Sequence, residues 1–516
     1  MGLSWTEVRN NFKTPLWVVC RCLWLKCQRC KHACERFKQQ RDEARREIIQ
    51  KNAKLSQQQE QLSRLQHRLR ALEAENRRLA TVPCHLPDDP PLEWHRYGAR
   101  MISLATNLAR LIGLRSSERA LKIFWQWLGI DQPLPDWTTI RLWLMRLGVA
   151  ALEEPVAEAD DWVWMVDHSN QIGPEKVLVV LGVRVSQLPP PGQPLRHEDV
   201  QVLTVQPGTH WKREDMAAVY ERLAERFGPP RAVLCDGAVE LRDGVESLKN
   251  RGCDTIVVQD FKHKAATFLK SLLEGSPRFA EFTAAIGKAR SAIQQTELSH
   301  LTPPSPKQKA RFMNLAATLE WASAVSWLLD HPEAASRQDV APERLEEKLG
   351  WLRSFATDVA TWRSCQQVID AGLRFINEQG LFHGAAERLH AVVAVAADGD
   401  ASRAMAKRLV DFVATSEAEL QPNERLPMST EILESTFGLY KQLEGQHSKG
   451  GFTGLLSCFA ALLRPATEAS VRLAFAKVSV KRVREWTKTN LGNTLISKRH
   501  TLYSEFRRAT EITTTT

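Results

Sequence analysis

The chain has 516 residues, 43% of them hydrophobic and 25% charged, the balance of a globular protein rather than a disordered or fibrous one. Lys and Arg number 70 against 60 Asp and Glu, a formal charge of +10, which permits a polyanionic partner without requiring one. The length exceeds a single core. No run of about 20 apolar residues offers a membrane span, and Arg21 and Lys26 interrupt the apolar stretch that a signal peptide would need. The expectation is a cytoplasmic protein with no membrane contact, its ten cysteines reduced.

From about Leu16 to Leu79 the chain has no Pro or Gly, and Gln, Glu, Arg, Lys, Leu and Ala dominate. Leu55, Leu62, Leu69 and Asn76 repeat every seven residues, and Leu65, Leu72 and Leu79 repeat three residues later. These are a and d positions of a coiled coil, and an Asn at a fixes a parallel two-stranded register. A helix over this span is roughly 95 Å long, and it is expected to join two copies of the chain. Cys20, Cys22, Cys27, Cys30 and Cys34, with His32, invite a zinc reading. Extending the heptad backward places four of the five cysteines on the seam, where a thiol packs as a small hydrophobe. Seam packing, a zinc site and a disulfide across a dimer all remain open.

Pro83, Pro87, Pro90 and Pro91 mark a linker. Helices are predicted from about Leu92 to Leu152, with a break near Gly129 and a restart at Asp136 as N-cap. This is either a helix-turn-helix that offers Trp137, Thr138, Thr139 and Arg141 to the major groove or a plain helical connector.

The texture changes at Asp161. Apolar runs at Trp162–Val166, Val177–Val185 and Val200–Val205 read as three strands. A helix over 213–227 leads to a strand at Arg231–Cys235, a helix over 239–250, a strand at Thr255–Val258 and a helix over 263–274. Three sequential strands followed by alternating helix and strand is the order of an RNase H-like fold, a mixed sheet covered by helices. Asp167 and Asp236 each follow a strand, where open α/β sheets place ligands. In that fold the first and fourth strands are neighbours, so the two aspartates converge. Convergent carboxylates repel unless a cation lies between them, and hard oxygen donors select Mg²⁺.

Met165-Val166-Asp167-His168-Ser169 and Leu234-Cys235-Asp236-Gly237 resemble the first two acidic motifs of bacterial insertion-sequence DDE transposases. Asp260-Phe261-Lys262-His263 is similar to the [C/D]xxH signature that follows the second Asp in several transposase families. Far downstream, Glu434 and Lys441 resemble the E-x6-K part of the YREK signature, although Pro427 and Thr430 stand where its Tyr and Arg would be. The resemblance implies a DNA transposase that binds terminal inverted repeats, cuts DNA and joins it to a target. Asp167, Asp236 and Glu434 would hold two Mg²⁺ ions, with Mn²⁺ as substitute. The double-stranded DNA partners are transposon ends and target, and the setting is bacterial, nucleoid-associated when DNA is bound. The alternatives are a transposase-derived DNA-binding protein without catalysis and an RNase H-like nuclease or resolvase.

Glu431 competes with Glu434 for the third carboxylate. A first-turn acid after a Ser429 cap is explained by the helix dipole, and Glu434 has no such explanation. Lys441, seven residues on, shares its helix face and is expected on a DNA phosphate. His263 either orients a carboxylate, contacts DNA, or merely starts a helix; His168 points to the opposite face of its strand. Asp260 is expected to be structural. Residues 275–425 read as an all-helical insertion whose Trp321, Trp327, Trp351 and Trp362 either fill its core or stack on unpaired bases. The region from Glu444 to Gly451 reads as a basic loop, and the tail beyond it is rich in Lys and Arg, for phosphate contacts or solvated helix faces. The expected division is 1–90 coiled coil and linker, 91–154 helical DNA-binding domain, 155–274 first part of the core, 275–425 insertion, and 426–516 Glu helix and basic tail.

Overall fold

The structure, a computed structural model, describes residues 16–79, 88–172, 175–208, 210–305, 312, 315–336, 340–445, 454–491 and 495–514. Pro83 and Pro87 of the expected linker, residues 446–451 of the expected basic loop Glu444–Gly451, and the side chains of Cys20, Asn76 and Leu79 lie outside the described residues, while Glu444 and Gly445, expected in that loop, end a helix instead. The chain divides into two compact units, Met1–Asp88 and Asp89–Thr516.

In the first unit Leu16–Leu79 form one helix, α1, as the lack of Pro and Gly allows. Its heptad residues Leu55, Leu62, Leu65, Leu69 and Leu72 are between 54 and 66% exposed. Cys27, Cys30 and Cys34 are exposed as well, and Cys22 is half-buried.

The second unit begins with three helices, α2 (Ala99–Ile112), α3 (Leu114–Trp127) and α4 (Trp137–Leu152). Asp136 caps α4 by accepting a hydrogen bond from the Thr139 amide at 2.7 Å. The sheet follows: β1 (Trp162–Ile172), β2 (Glu175–Arg184), β3 (Gln201–Gly208), α5 (Arg213–Phe227), β4 (Pro230–Cys235), the short α6 (Val239–Asp243) and α7 (Glu246–Asn250), β5 (Ile256–Gln259) and α8 (Phe261–Leu273). The strand order is β3-β2-β1-β4-β5. β1, β2 and β3 are antiparallel neighbours, and β1, β4 and β5 are parallel ones, so the sheet is mixed.

Alternation along β1 sends Val163 and Met165 to one face and Trp162, Trp164 and Val166 to the other. Trp164 and Val166 meet Tyr220 and Met216 of α5, all fully buried. The opposite face belongs to the large core that runs through α2, α4, α8 and the helices that follow. Both faces are therefore covered, which is why β1 and β4 read as continuous apolar runs.

The insertion contains α9 (Pro277–Ile293), α10 (Ala316–Asp330), α11 (Pro332–Ser336), α12 (Pro342–Leu349), α13 (Ala356–Gln379), α14 (Ala385–Ala396) and α15 (Asp400–Glu417). It departs from an all-helical reading at one place: β6 (Leu381–Phe382) pairs antiparallel with β7 (Arg425–Leu426). Trp362 lies 5.3 and 5.1 Å from the Phe279 and Phe282 rings in its core. Trp321 donates to the Leu301 carbonyl at 2.8 Å, and Trp351 packs on Phe355. Trp327 is 53% exposed and stacks on His331 at 4.4 Å. Arg231, at the start of β4, forms a buried two-pronged ion pair with Glu424 at 2.7 and 2.9 Å, tying the end of the insertion to the sheet.

The chain then returns through α16 (Glu431–Gly445), a 3-10 segment (Gly454–Leu462), α17 (Glu468–Lys477), α18 (Val480–Leu491) and α19 (Leu495–Thr514). α4 passes so close to the 3-10 segment that a Cβ on Gly148 would lie 2.1 Å from the Ser457 carbonyl. Arg146, buried on α4, donates to the Val478 carbonyl at 2.7 Å and the Phe475 carbonyl at 3.0 Å. α17, α18 and the 3-10 segment thus pack with the helices before the sheet in one body within the second unit, whereas the described side chains of α19 are exposed. No helix among the described residues is long and apolar enough to cross a membrane.

Candidate functional site

The site lies where the parallel part of the sheet ends. The β1–β4 ladder pairs Met165 with Leu234 and Val166 with Cys235, so Asp167 and Asp236 are the next residues on adjacent strands. Asp236 follows the last residue of β4, as expected. Asp167 does not end β1, which runs on to Ile172 because residues past Asp167 still pair with β2 after β4 has stopped. The aspartate therefore marks the end of the parallel ladder rather than of the strand.

Asp167 accepts its neighbour His168's amide at 2.6 Å. Burial first, and then the charge of Asp236, push its carboxyl up to about 7. Asp236 accepts the Ala238 amide at 2.8 Å. The turn between them needs Gly237, whose φ is +92° and whose missing Cβ would sit 2.1 Å from Gln259 Nε2.

The third acid arrives on α16, and its placement depends on Asp260. This buried aspartate caps α8, accepting the His263 amide at 2.7 Å. Its other oxygen accepts the Thr430 amide at 2.6 Å and the Thr430 hydroxyl at 2.9 Å. One carboxylate thus holds the starts of both α8 and α16. Burial opposes ionisation of Asp260, but hydrogen bonds from His263 and Thr430 outweigh it and hold the group below its ordinary value. His263 Nδ1 lies 2.9 Å from Asp260 and its Nε2 lies 4.0 Å from Glu434. Burial lowers the His263 pKa, but Asp260, Glu434 and Asp236 raise it more, so the imidazole is held above its usual value.

Glu434 is paired. Lys262, in the first turn of α8, places Nζ 2.8 Å from Glu434 and 3.4 Å from Glu431. Glu431 also accepts Asn377 Nδ2 at 2.6 Å. Burial works against the Lys262 charge, and the two glutamates more than compensate, so its pKa is raised. Among the described residues no group of three or more His, Cys, Asp or Glu stands close enough to hold a metal ion as placed. The donor chemistry fits a hard divalent cation: three carboxylates, two of them on adjacent strands, the third engaged by an ammonium.

The remaining sequence candidates lie apart from these acids or at their edge. Lys441 is exposed on α16, with Nζ 6.0 Å from the Phe437 ring centre. His168 stacks on Trp211 at 5.8 Å and lies 3.9 Å from Glu240, with burial lowering its pKa. In the first turns of α4, Thr138 is exposed and bonded to Asp136 at 2.6 Å, while Trp137 is half-buried with the Arg115 guanidinium 5.0 Å from its ring centre. Arg141 is half-buried with its Nε unpartnered, and residues 143–149 are buried. Sequence reasoning missed Lys262 and the double duty of Asp260. The signal for Asp260 was there, an Asp three residues before a His at a helix start; nothing local marked Lys262.

No protein-family model and no curated protein matches the chain. Among solved structures, the Drosophila P element transposase strand transfer complex aligns over 82% of this chain and 100% of its own, with a TM-score of 0.35 and 12% identity. A likeness of that order carries no argument about what this chain does.

Proposed function

We propose that the protein is a DNA transposase with an RNase H-like core, which binds the terminal inverted repeats of a mobile element, cleaves DNA and transfers the cut strand to a target. The observation that carries the proposal is the meeting of Asp167 and Asp236 on neighbouring parallel strands with Glu434 brought toward them by the Asp260–Thr430 tie. The adjacency of the first and fourth strands supports the RNase H-like reading.

Asp167, Asp236 and Glu434 would hold Mg²⁺ or Mn²⁺, two ions in the full reading. When bound, such ions activate the attacking oxygen and stabilise the leaving one. The chain's own groups position the reaction. Asp260 fixes α16 against α8, His263 orients toward Glu434, and Lys441 extends along the same helix toward a DNA phosphate. Thr138, Trp137 and Arg141, at the accessible start of α4, are the groups offered to terminal repeats. The exposed leucine stripe of α1 supplies a parallel coiled coil and hence a homodimer that pairs two ends. The proposed setting is the bacterial cytoplasm, on the nucleoid. The engagement of Glu434 by Lys262 favours, as a second reading, a DNA-binding derivative without catalysis.

The test is strand transfer of a labelled element-end duplex into plasmid DNA with Mg²⁺. Wild type is expected to give joined product, and Asp236→Ala and Glu434→Ala are expected to lose on the order of 100-fold or more. Cleavage without joining would identify a nuclease, and binding without either reaction the non-catalytic derivative.

A further inference from the structure

We propose that Lys262 stands in for the metal cation at Glu434, holding the third carboxylate until a cation binds and then retaining only Glu431. The inference rests on the reading of Asp167, Asp236 and Glu434 as the cation-binding set.

The geometry gives Lys262 two seats. Its ammonium lies 2.8 Å from Glu434 and 3.4 Å from Glu431. An ammonium carries three donors, so losing one partner does not strand it. Glu431 is the fixed seat, because Asn377 holds it at 2.6 Å. Glu434 has no such anchor: among the described residues its other ion-pair neighbour is His263, at 4.0 Å. The helices that carry Lys262 and Glu434 are fastened to each other through Asp260, so the two side chains stay neighbours whichever partner each takes.

The electrostatics call for such a group. Asp167 and Asp236 already repel one another, and a third carboxylate without a counter-charge would add to that repulsion. Lys262 lets Glu434 stay near the pair in the metal-free protein. It also sets a threshold, since a cation must displace a half-buried ammonium before it gains its third ligand. A purely structural ion pair predicts something different: its removal loosens Glu434 and leaves cation binding unchanged or weaker.

The test is Mn²⁺ binding to the full-length protein, read by calorimetry and by the electron paramagnetic resonance signal of free Mn²⁺. Lys262→Met is expected to bind Mn²⁺ roughly five-fold tighter than wild type, the size of a released half-exposed ion pair. Lys262→Arg is expected to restore wild-type affinity, and Lys262→Met in a Glu434→Gln background to show no gain. Lys262→Gln serves as the second variant, with circular dichroism and melting confirming the fold of each. Unchanged or weaker binding in folded Lys262→Met and Lys262→Gln overturns the inference. So does a gain that persists without Glu434, which would mark a general charge effect. Mn²⁺ binding that Asp236→Asn leaves unaltered overturns the cation-site reading itself, a result separable from the others.

Discussion

Asp167 carries the largest electrostatic cost among the three acids. Its carboxyl titrates near 7 instead of at the ordinary 3.8, so between those values the folded protein holds a proton that the unfolded chain has lost. Stability from this group is therefore present at low pH and falls as pH rises from about 4 to about 7. In EDTA, Asp167→Asn is expected to flatten that decline, and melting curves at pH 5 and pH 8 check it. Asp260 is the opposite case, a buried charge stabilised by its partners. Asp260→Ala removes the cap of α8 and strands the Thr430 amide and hydroxyl, at a cost of about 2–4 kcal/mol. Its melting midpoint should drop, and on the proposed function cleavage should fall with it because Glu434 loses its tether. The sequence pointed to Asp167 and Asp236 through the apolar runs before them, and to Glu434 through its unexplained position in a helix. Lys262 was illegible because its partner lies 172 residues away, and pairing at that separation leaves no local pattern.

At the scale of elements, local chemistry decided what could be foreseen. α1 followed from the absence of Pro and Gly, α4 from its Asp136 cap, and the succession of strands and helices from 162 to 273 from changes in periodicity. The pairing of β6 with β7 joins a two-residue strand in the later part of the insertion to another at its C-terminal end, each too short for any alternation to register. The packing of α17 on α2 and α4 is equally non-local, and depends on features such as Arg146 reaching two backbone carbonyls. The join between insertion and sheet rests on Arg231 and Glu424, each 7% exposed. Glu424→Ala removes the two-pronged partner of a buried guanidinium, leaving it two backbone carbonyls and the Asp254 carboxylate at 3.8 Å, and is expected to cost about 3 kcal/mol. Glu424→Gln, which keeps an acceptor, should lose less, and thermal melts of the two variants make the comparison.

For the whole molecule, the unpaired apolar stripe of α1 is the feature that a single chain does not account for. A helix this long and polar gains little from its own leucines while they face water. In the proposed parallel dimer those leucines are buried. Leu62→Asp with Leu69→Asp is expected to give a monomer by light scattering while the melt of the second unit stays in place. A dimer that survives both substitutions would move the interface elsewhere. The modest basic excess agrees with a DNA partner but does not locate it, since cations such as Arg482 are spent on internal pairs with Glu153.

The Asp260–Thr430 tie also fixes when a new chain becomes competent. Asp236 leaves the ribosome 198 residues before Glu434 (434 minus 236), which at roughly 5–20 residues per second is a delay of about 10–40 s. Through that interval the sheet can form with two acids and no third. The insertion must be made, folded and closed through β7 before α16 can dock on Asp260. On the proposed function, a growing chain or one truncated within the insertion is harmless to the DNA around it, and the capacity to cut arises only once α16 has been made and docked.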